Sequence, residues 1–165
     1  MISQAELKEV LEYNPDTGVF TWIKPNKYCS NIKVGDVAGY KNSRGYIRTC
    51  VKRKFYLAHR LAHLYMTGNF PENFIDHINH IRDDNRWTNL RAATNSQNQA
   101  NRVKQKNNKA GYKGVCWHKS TKKWRAKIVH MNKSIYIGYY TTREEASEAY
   151  KKKAIELFGE FSYTE

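Results

Sequence analysis

Residues 75–102 read IDHINHIRDDNRWTNLRAATNSQNQANR, and they form the most informative part of the sequence. Asp76 and His77 follow a short apolar run, and residues 90–93 form a second β-prone run after a loop rich in charge. Thr94 then opens a capping box that starts a helix. The predicted order is strand, loop, strand, helix.

The polar residues of this stretch suit the hydrolysis of a phosphodiester, which needs an activated water, a cation and a proton acceptor. The carboxylate of Asp76 and the amide oxygen of Asn98 are ligands for one hard divalent ion, Mg²⁺ or Mn²⁺. Imidazole in general titrates near neutral pH, which makes His77 the candidate general base. Neighbours in a strand point to opposite faces, so one of the pair must lie at a bend or a strand end.

The first 70 residues predict two helices separated by short β-type runs. In chain order they are a helix capped by Ser3 and Glu6, a turn at 14–18, a strand at 19–22, a β-type run at 45–51, a basic hairpin tip at 52–54, and a helix at 57–66 that stops at 67–69.

Residues 101–110 are polar, basic and without apolar periodicity, which is typical of a linker. Beyond them three β-type runs are predicted, at 112–117, 122–130 and 133–140. A helix follows at 142–158, capped at its start by Thr142 and Glu145 and ended by Gly159.

The middle run of this C-terminal part alternates strictly. Lys123, Arg125 and Lys127 fall on one face, and apolar side chains fall on the other. Such a basic face can enter the major groove of DNA, where Arg reads guanine edges and Lys holds phosphates. The nearby aromatic side chains are predicted to be mainly core, namely Trp117, Trp124, Tyr139 and Tyr140.

Composition supports a polyanionic partner, because 29 Lys and Arg against 15 Asp and Glu give a formal net charge of +14. Double-stranded DNA is the expected partner. No membrane association is expected, since the sequence lacks a long apolar run. The three cysteines, Cys29, Cys50 and Cys116, are too widely spaced for a disulfide framework and the start lacks a secretory signal. We therefore expect a cytoplasmic protein of a bacterial or phage-infected host cell.

Residues 57–102 resemble the HNH endonucleases of the ββα-metal type, found as phage and intron-borne homing enzymes. The match lies in AHRLAHLYMTG, IDHINHIRDDNRWTNLR and NSQNQANR, and NPDTGVFTW often precedes this core. The resemblance implies that Asp76 and Asn98 hold the metal, that His77 is the base and that Asn89 braces the loop. It also implies ends with a 5′-phosphate and a 3′-hydroxyl.

Residues 111–161, with GYKGVCWHKSTKKWRAKI and YIGYYTTREEASEAYKKKAIELFGEF, resemble the AP2 DNA-binding domain. The resemblance implies contacts from the sheet to bases and backbone. The candidate DNA-binding residues are Arg125, Lys123, Lys127, His118 and Tyr136, joined in the nuclease part by Arg102, His59 and Arg60.

Several roles stay open at this stage. His59 and His63 are four apart on a helix and could chelate zinc, although no third ligand accompanies them. His59 and Arg60 could pack the nuclease core or touch a phosphate, and Arg102 could lie on a solvated helix face. His80 stands where a small residue is usual, so an added role or a distorted turn is possible for it.

The predicted fold class is α+β, with a small ββα nuclease core behind an N-terminal β-rich extension and a C-terminal three-stranded antiparallel sheet packed on one helix. The predicted limits are 1–56, 57–104, a linker at 105–110, and 111–165. The function indicated is a site-preferring DNA endonuclease, acting as a monomer or as a dimer on DNA. The alternatives are a non-catalytic DNA-binding regulator and an RNA nuclease or binder.

Overall fold

The computed structural model of the chain describes residues 1–24, 31–104 and 108–163. The chain forms two compact units, residues 1–92 and residues 93–165. The predicted α+β class is confirmed, because both units combine helices with small sheets. Within the described ranges no helix is both long and apolar enough to cross a membrane.

In the described part of the first unit, short strands alternate with two helices, as predicted. Its elements are α1 (Gln4–Lys8), β1 (Leu11–Asn14), β2 (Val19–Trp22), β3 (Tyr40–Lys41), β4 (Ile47–Val51), β5 (Lys54–Leu57), α2 (Ala58–Thr67), β6 (Phe74–His77), a 3-10 turn (Trp87–Asn89) and β7 (Leu90–Ala93). Strands β1 and β2 form an antiparallel hairpin, β3, β4 and β5 form an antiparallel sheet, and β6 pairs with β7.

Local signals account for the ends of these elements. The capping box of Ser3 and Glu6 is present at the start of α1. The turn between β4 and β5 places Lys52 and Arg53 at positive φ, which confirms the predicted hairpin tip. Helix α2 ends at Gly68 in a left-handed conformation, as its sequence predicts.

The core of the first unit lies among α1, β1 and α2, whose Leu7, Leu11 and Leu61 are completely buried. Shortening one of these leucines to alanine would cost about 2–5 kcal/mol, because the cavity left behind adds to the lost burial. The site described below rests on this core.

The turn of residues 14–18 is packed against the charged loop of the nuclease motif. Asn14 Oδ1 accepts hydrogen bonds from two turn amides, and Gly18 takes a left-handed φ of 74°. A Cβ on Gly18 would overlap the backbone of Asn85 and its neighbour. The amide of Trp87 also donates to the carbonyl of Pro15 at 2.9 Å. The N-terminal extension therefore supports the loop between β6 and β7.

Within residues 93–104 and 108–163, the second unit contains a three-stranded antiparallel sheet and two helices. Its elements are α3 (Asn95–Ala100), β8 (Val115–His118), β9 (Lys123–His130), β10 (Lys133–Tyr140), α4 (Arg143–Phe158) and a 3-10 turn (Gly159–Phe161). The sheet order is β10-β9-β8, and α4 packs on all three strands. Capping boxes open both helices, at Thr94 with Gln97 and at Thr142 with Glu145, as predicted.

Strand, loop, strand and helix follow each other between residues 74 and 100 in the predicted order. Because α3 belongs to the second unit, the ββα packing of the nuclease core stays a prediction, and so do the predicted domain limits. Residues 105–107 of the predicted linker and Cys29 lie outside the described residues.

Candidate active site and DNA-binding face

Asp76 and His77 lie at the end of strand β6, and both are buried, at 5% and 6% exposure. His77 is the last residue of the strand, which meets the requirement that one of the two neighbours lie at a strand end. The two side chains can thus serve one site although they are adjacent in the chain.

Arg91, on the paired strand β7, holds the carboxylate of Asp76. Its Nε donates to Asp76 Oδ2 at 3.0 Å, and the two side chains are only 13% and 7% exposed. Removing one member of such a buried pair leaves an uncompensated charge, which is costly. Arg91 belongs to the quoted motif, yet nothing in the sequence assigned it to Asp76.

Asn85 is a hydrogen-bond partner of His77. Its Oδ1 lies 3.4 Å from His77 Nε2, while its Nδ2 donates to the carbonyl of Asp83 at 3.2 Å. Because the amide nitrogen is turned toward that carbonyl, Oδ1 is the acceptor and Nε2 carries the proton. In the neutral ring the lone pair then lies on Nδ1.

The surroundings of His77 favour its neutral form. Burial lowers the pKa of His77, and the hydrogen bond with Asn85 and the charge of Asp76 oppose this effect in part. The ring is therefore a base at neutral pH, and the nearby carboxylate stabilises it once it has taken a proton.

A second histidine packs against His77. The ring centroids of His59 and His77 are 5.1 Å apart, and Tyr46 contacts both rings. His59 is 6% exposed, and burial lowers its pKa to about 3. The low exposure of His59 favours a packing role for this residue over a contact with a phosphate.

The neighbouring candidates on α2 are engaged within the first unit. Arg60 donates to the carbonyl oxygens of Pro71 and Asn73, at 3.1 and 3.0 Å. His63 Nδ1 lies 2.9 Å from the carbonyl of Asn69. These contacts fix the segment after α2, and a DNA contact by Arg60 stays a prediction.

Asn89 ties the two sides of the loop together. Its Oδ1 accepts from the amide of Asn79 at 3.0 Å, and its Nδ2 donates to the carbonyl of Asp84 at 2.8 Å. These are the bonds that a bracing residue would make. His80 takes a φ of 63°, which explains why a small residue is usual there and favours the distorted turn over an added role.

Asn98 and Arg102 belong to the second unit, Asn98 on α3 and Arg102 just beyond it. Among the described residues, His, Cys, Asp and Glu side chains form no group of three or more that could hold a metal ion. The buried carboxylate of Asp76 and the amide of Asn98 are oxygen donors that fit Mg²⁺ or Mn²⁺. Their convergence stays a prediction.

The predicted DNA-binding residues of the C-terminal sheet share one face. In the antiparallel register His118 lies opposite Lys123, and Tyr136 lies opposite Lys127. Directly opposite residues point to the same face of a sheet. Arg125 stands between them, so Lys123, Lys127, His118 and Tyr136 surround it on one surface.

Two further side chains join this basic face. Cys116 and Tyr139 flank Arg125 on the adjacent strands, and Arg125 Nη2 donates to Cys116 Sγ at 3.4 Å. The prediction that Tyr139 is core is wrong, because its ring is 36% exposed beside His118. The same prediction fails for Trp117, which is 48% exposed because β8 is an edge strand.

Two families match the chain, and they divide it between them. The HNH endonuclease family matches residues 56–100, and the AP2 domain matches residues 110–160. The fold and the site thus define a nuclease joined to a DNA-binding module.

A viral relative aligns with most of the chain. An uncharacterized HNH endonuclease of Acanthamoeba polyphaga mimivirus is 30% identical over 146 residues, which are 88% of this chain and 74% of the relative. This chain belongs to the HNH endonuclease family and carries an AP2 domain at its C-terminal end.

The AP2 domain has plant relatives as well. An ethylene-responsive transcription factor of Arabidopsis thaliana is 46% identical over 50 residues, 29% of this chain and 12% of that protein. An AP2-like ethylene-responsive transcription factor of Oryza sativa subsp. japonica is 44% identical over 50 residues, again 29% of this chain and 8% of the relative. The comparison with solved structures gave no significant match.

Proposed function

We propose that the chain is a site-preferring DNA endonuclease of the homing type that hydrolyses phosphodiester bonds with His77 as general base and one divalent metal ion. The observation that carries the proposal is the pair at the end of β6, where a neutral buried imidazole follows a buried carboxylate. This hydrolysis requires that the protein supply a proton acceptor and a ligand for a cation.

The proton is moved by His77. Its Nδ1 accepts the proton of the attacking water, while Asn85 keeps Nε2–H directed and the ring in one orientation. The hydrogen bond with Asn85 also favours the imidazolium that results. Asn89 holds the loop that carries Asn85, so His77 and Asn85 keep their relative positions.

The metal would be held by Asp76 and Asn98, with Mg²⁺ or Mn²⁺ as the ion. When bound, a divalent ion neutralises charge on the phosphate and the leaving oxygen. Arg91 orients the Asp76 carboxylate through its Nε and keeps that buried charge compensated.

The C-terminal sheet would position the duplex. Arg125 lies at the centre of the basic face and would contact base edges. The surrounding Lys123, Lys127, His118 and Tyr136 would contact the backbone. Arg102 is exposed and would contact a phosphate near the cut. One active site in a monomer cuts one strand at a time, so a nick is the first product.

The test is the cleavage of supercoiled plasmid at an excess of protein over DNA, with Mg²⁺, with Mn²⁺ and with EDTA. We expect open circles before linear DNA, no product with EDTA, and nicks that DNA ligase reseals because they carry a 5′-phosphate and a 3′-hydroxyl. Duplex binding in a gel shift with no cleavage in either metal would overturn the enzyme and favour the non-catalytic regulator. A preference for RNA competitor in the gel shift would overturn DNA as the substrate.

A further inference from the structure

Lys113 caps the C-terminal end of helix α3. Its Nζ donates to the carbonyl oxygens of Gln99 at 3.4 Å, of Ala100, and of Arg102 at 2.7 Å. A helix leaves its last carbonyls without partners, and a cation is favoured at that end by the helix dipole. One side chain from the segment before β8 therefore satisfies the end of α3.

Other parts of the C-terminal module contact the same helix. The amide of Met131, in the turn between β9 and β10, donates to Ser96 Oγ at 3.3 Å. The amide of Tyr163 donates to the carbonyl of Ala100 at 3.3 Å. The helix is thus bound near both of its ends.

Apolar packing adds to these bonds. Ala93 and Ala100 lie in one hydrophobic cluster with Ile128 of β9 and with Tyr150 and Phe158 of α4. Helix α3 has six residues, and a helix that short is not stable by itself in water. Its stability must come from the module on which it packs.

We propose that the AP2 module is a structural part of the cutting site, in which Lys113 is a positioning residue that holds α3 and, through it, Asn98. The inference rests on the proposed function for the role of Asn98 as a metal ligand. The C-terminal module would then have a structural role besides DNA binding. Without its contacts to α3, the proposed metal ligand Asn98 would be less well positioned.

The charge of Lys113 matters to this role. Burial, and to a lesser extent the charge of Arg102, lowers the pKa of Lys113 to about 8, so the ammonium form still prevails at neutral pH. Arginine can donate to several carbonyls in the same way, whereas glutamine is shorter and neutral. Lys113→Gln should release the end of α3, and Lys113→Arg should keep it.

The experiment compares full-length wild type, Lys113→Gln, Lys113→Arg and Lys152→Gln. Lys152 is exposed on α4 and gives a control for the loss of one charge. Three quantities are measured: amide hydrogen exchange of residues 95–101 without DNA, duplex affinity, and the Mn²⁺ concentration for half-maximal plasmid cleavage.

We expect Lys113→Gln to speed exchange in α3 about tenfold, which corresponds to about 1.4 kcal/mol of lost local stability. The Mn²⁺ requirement should rise several-fold while duplex affinity changes about as little as in Lys152→Gln. Lys113→Arg should behave as wild type. Unchanged exchange in α3, or an unchanged Mn²⁺ requirement, would overturn the proposal.

A second variant and the activity of the wild type distinguish the remaining outcomes. If Lys113→Gln also loses protection in β9 and α4, the milder Ser96→Ala decides, and it should raise exchange in α3 alone. If wild type does not cut DNA in any metal, the proposed function fails, and the positioning of Asn98 as a metal ligand fails with it. Faster exchange in α3 alone would then show only a structural cap.

Discussion

His77 Nε2 lies 3.4 Å from the side-chain oxygen of Asn85, which is itself buried to 2% exposure. The backbone of Asn85 is fixed independently, because Tyr13 Oη donates to its carbonyl at 2.6 Å. Asn85 therefore connects the N-terminal extension to His77, the proposed general base.

Asn85→Leu tests this relationship, since leucine has a similar volume but no acceptor for Nε2–H. We expect the single-turnover rate of DNA cleavage to fall about 10–100-fold, as is typical when the partner of a catalytic group is removed. Duplex affinity should stay within about twofold of wild type, because Asn85 is not part of the basic face of the C-terminal sheet. Cleavage at the wild-type rate would show that Asn85 does not orient His77.

Gly18→Ala should damage the nuclease although residue 18 carries no chemistry. Alanine is strained at a φ of 74°, and its methyl group would overlap the backbone beside Asn85. We expect a loss of about 2 kcal/mol or more in the free energy of unfolding of the first unit. Chemical denaturation checks this, with Gly35→Ala as a control, because Gly35 also has positive φ but open space around it. Equal losses in both variants would show that strain alone matters.

His59 should make the protein sensitive to acid. In the folded chain the pKa of His59 is about 3, below its ordinary value of 6.5. Between pH 3 and pH 6.5 the unfolded chain therefore binds a proton that the folded chain does not. Stability is therefore lost as the pH falls below about 6.5, by about 2 kcal/mol at pH 5.

His59→Phe keeps a ring in the cluster and cannot titrate. We expect it to recover about 1–2 kcal/mol of the stability lost between pH 7 and pH 5, measured by urea unfolding at both values. If the wild type and His59→Phe lose the same stability over this range, His59 is not the acid-sensitive group.

Arg125 and Lys127 should contribute differently to DNA binding. Arg125→Ala should relax the preference for the target site by about 1–3 kcal/mol, because a base contact is lost. Lys127→Ala should weaken binding to all duplexes alike and reduce the slope of log affinity against log salt by about 1. Binding titrations with a selected site and with random duplex at several salt concentrations measure both effects. The same loss on both duplexes for Arg125→Ala would contradict base reading.

Much of this architecture follows from local signals in the sequence. Capping boxes at Ser3, Thr94 and Thr142 give the starts of three helices, and strict alternation in β9 gives the basic face. These signals act between residues close in the chain, so they are readable without the fold.

The partners within the site could not be read in that way. Asn85 lies in a charged loop with several equivalent polar residues, and only folding turns its side chain toward His77. The pairing of Arg91 with Asp76 and the cap of α3 by Lys113 also join residues distant in sequence. The prediction that the aromatic residues are core was wrong at Trp117, because β8 is an edge strand with no neighbouring strand on one side.

Single-turnover cleavage of supercoiled plasmid in Mg²⁺ by wild type and by His77→Ala tests the proposed role of His77 directly. We expect His77→Ala to bind duplex DNA as wild type does and to cut it about 10²–10⁴-fold more slowly, since the proton acceptor is lost. Equal rates of cleavage by the two proteins, or no cleavage by either, would contradict the assignment of His77 as the general base of a DNA endonuclease.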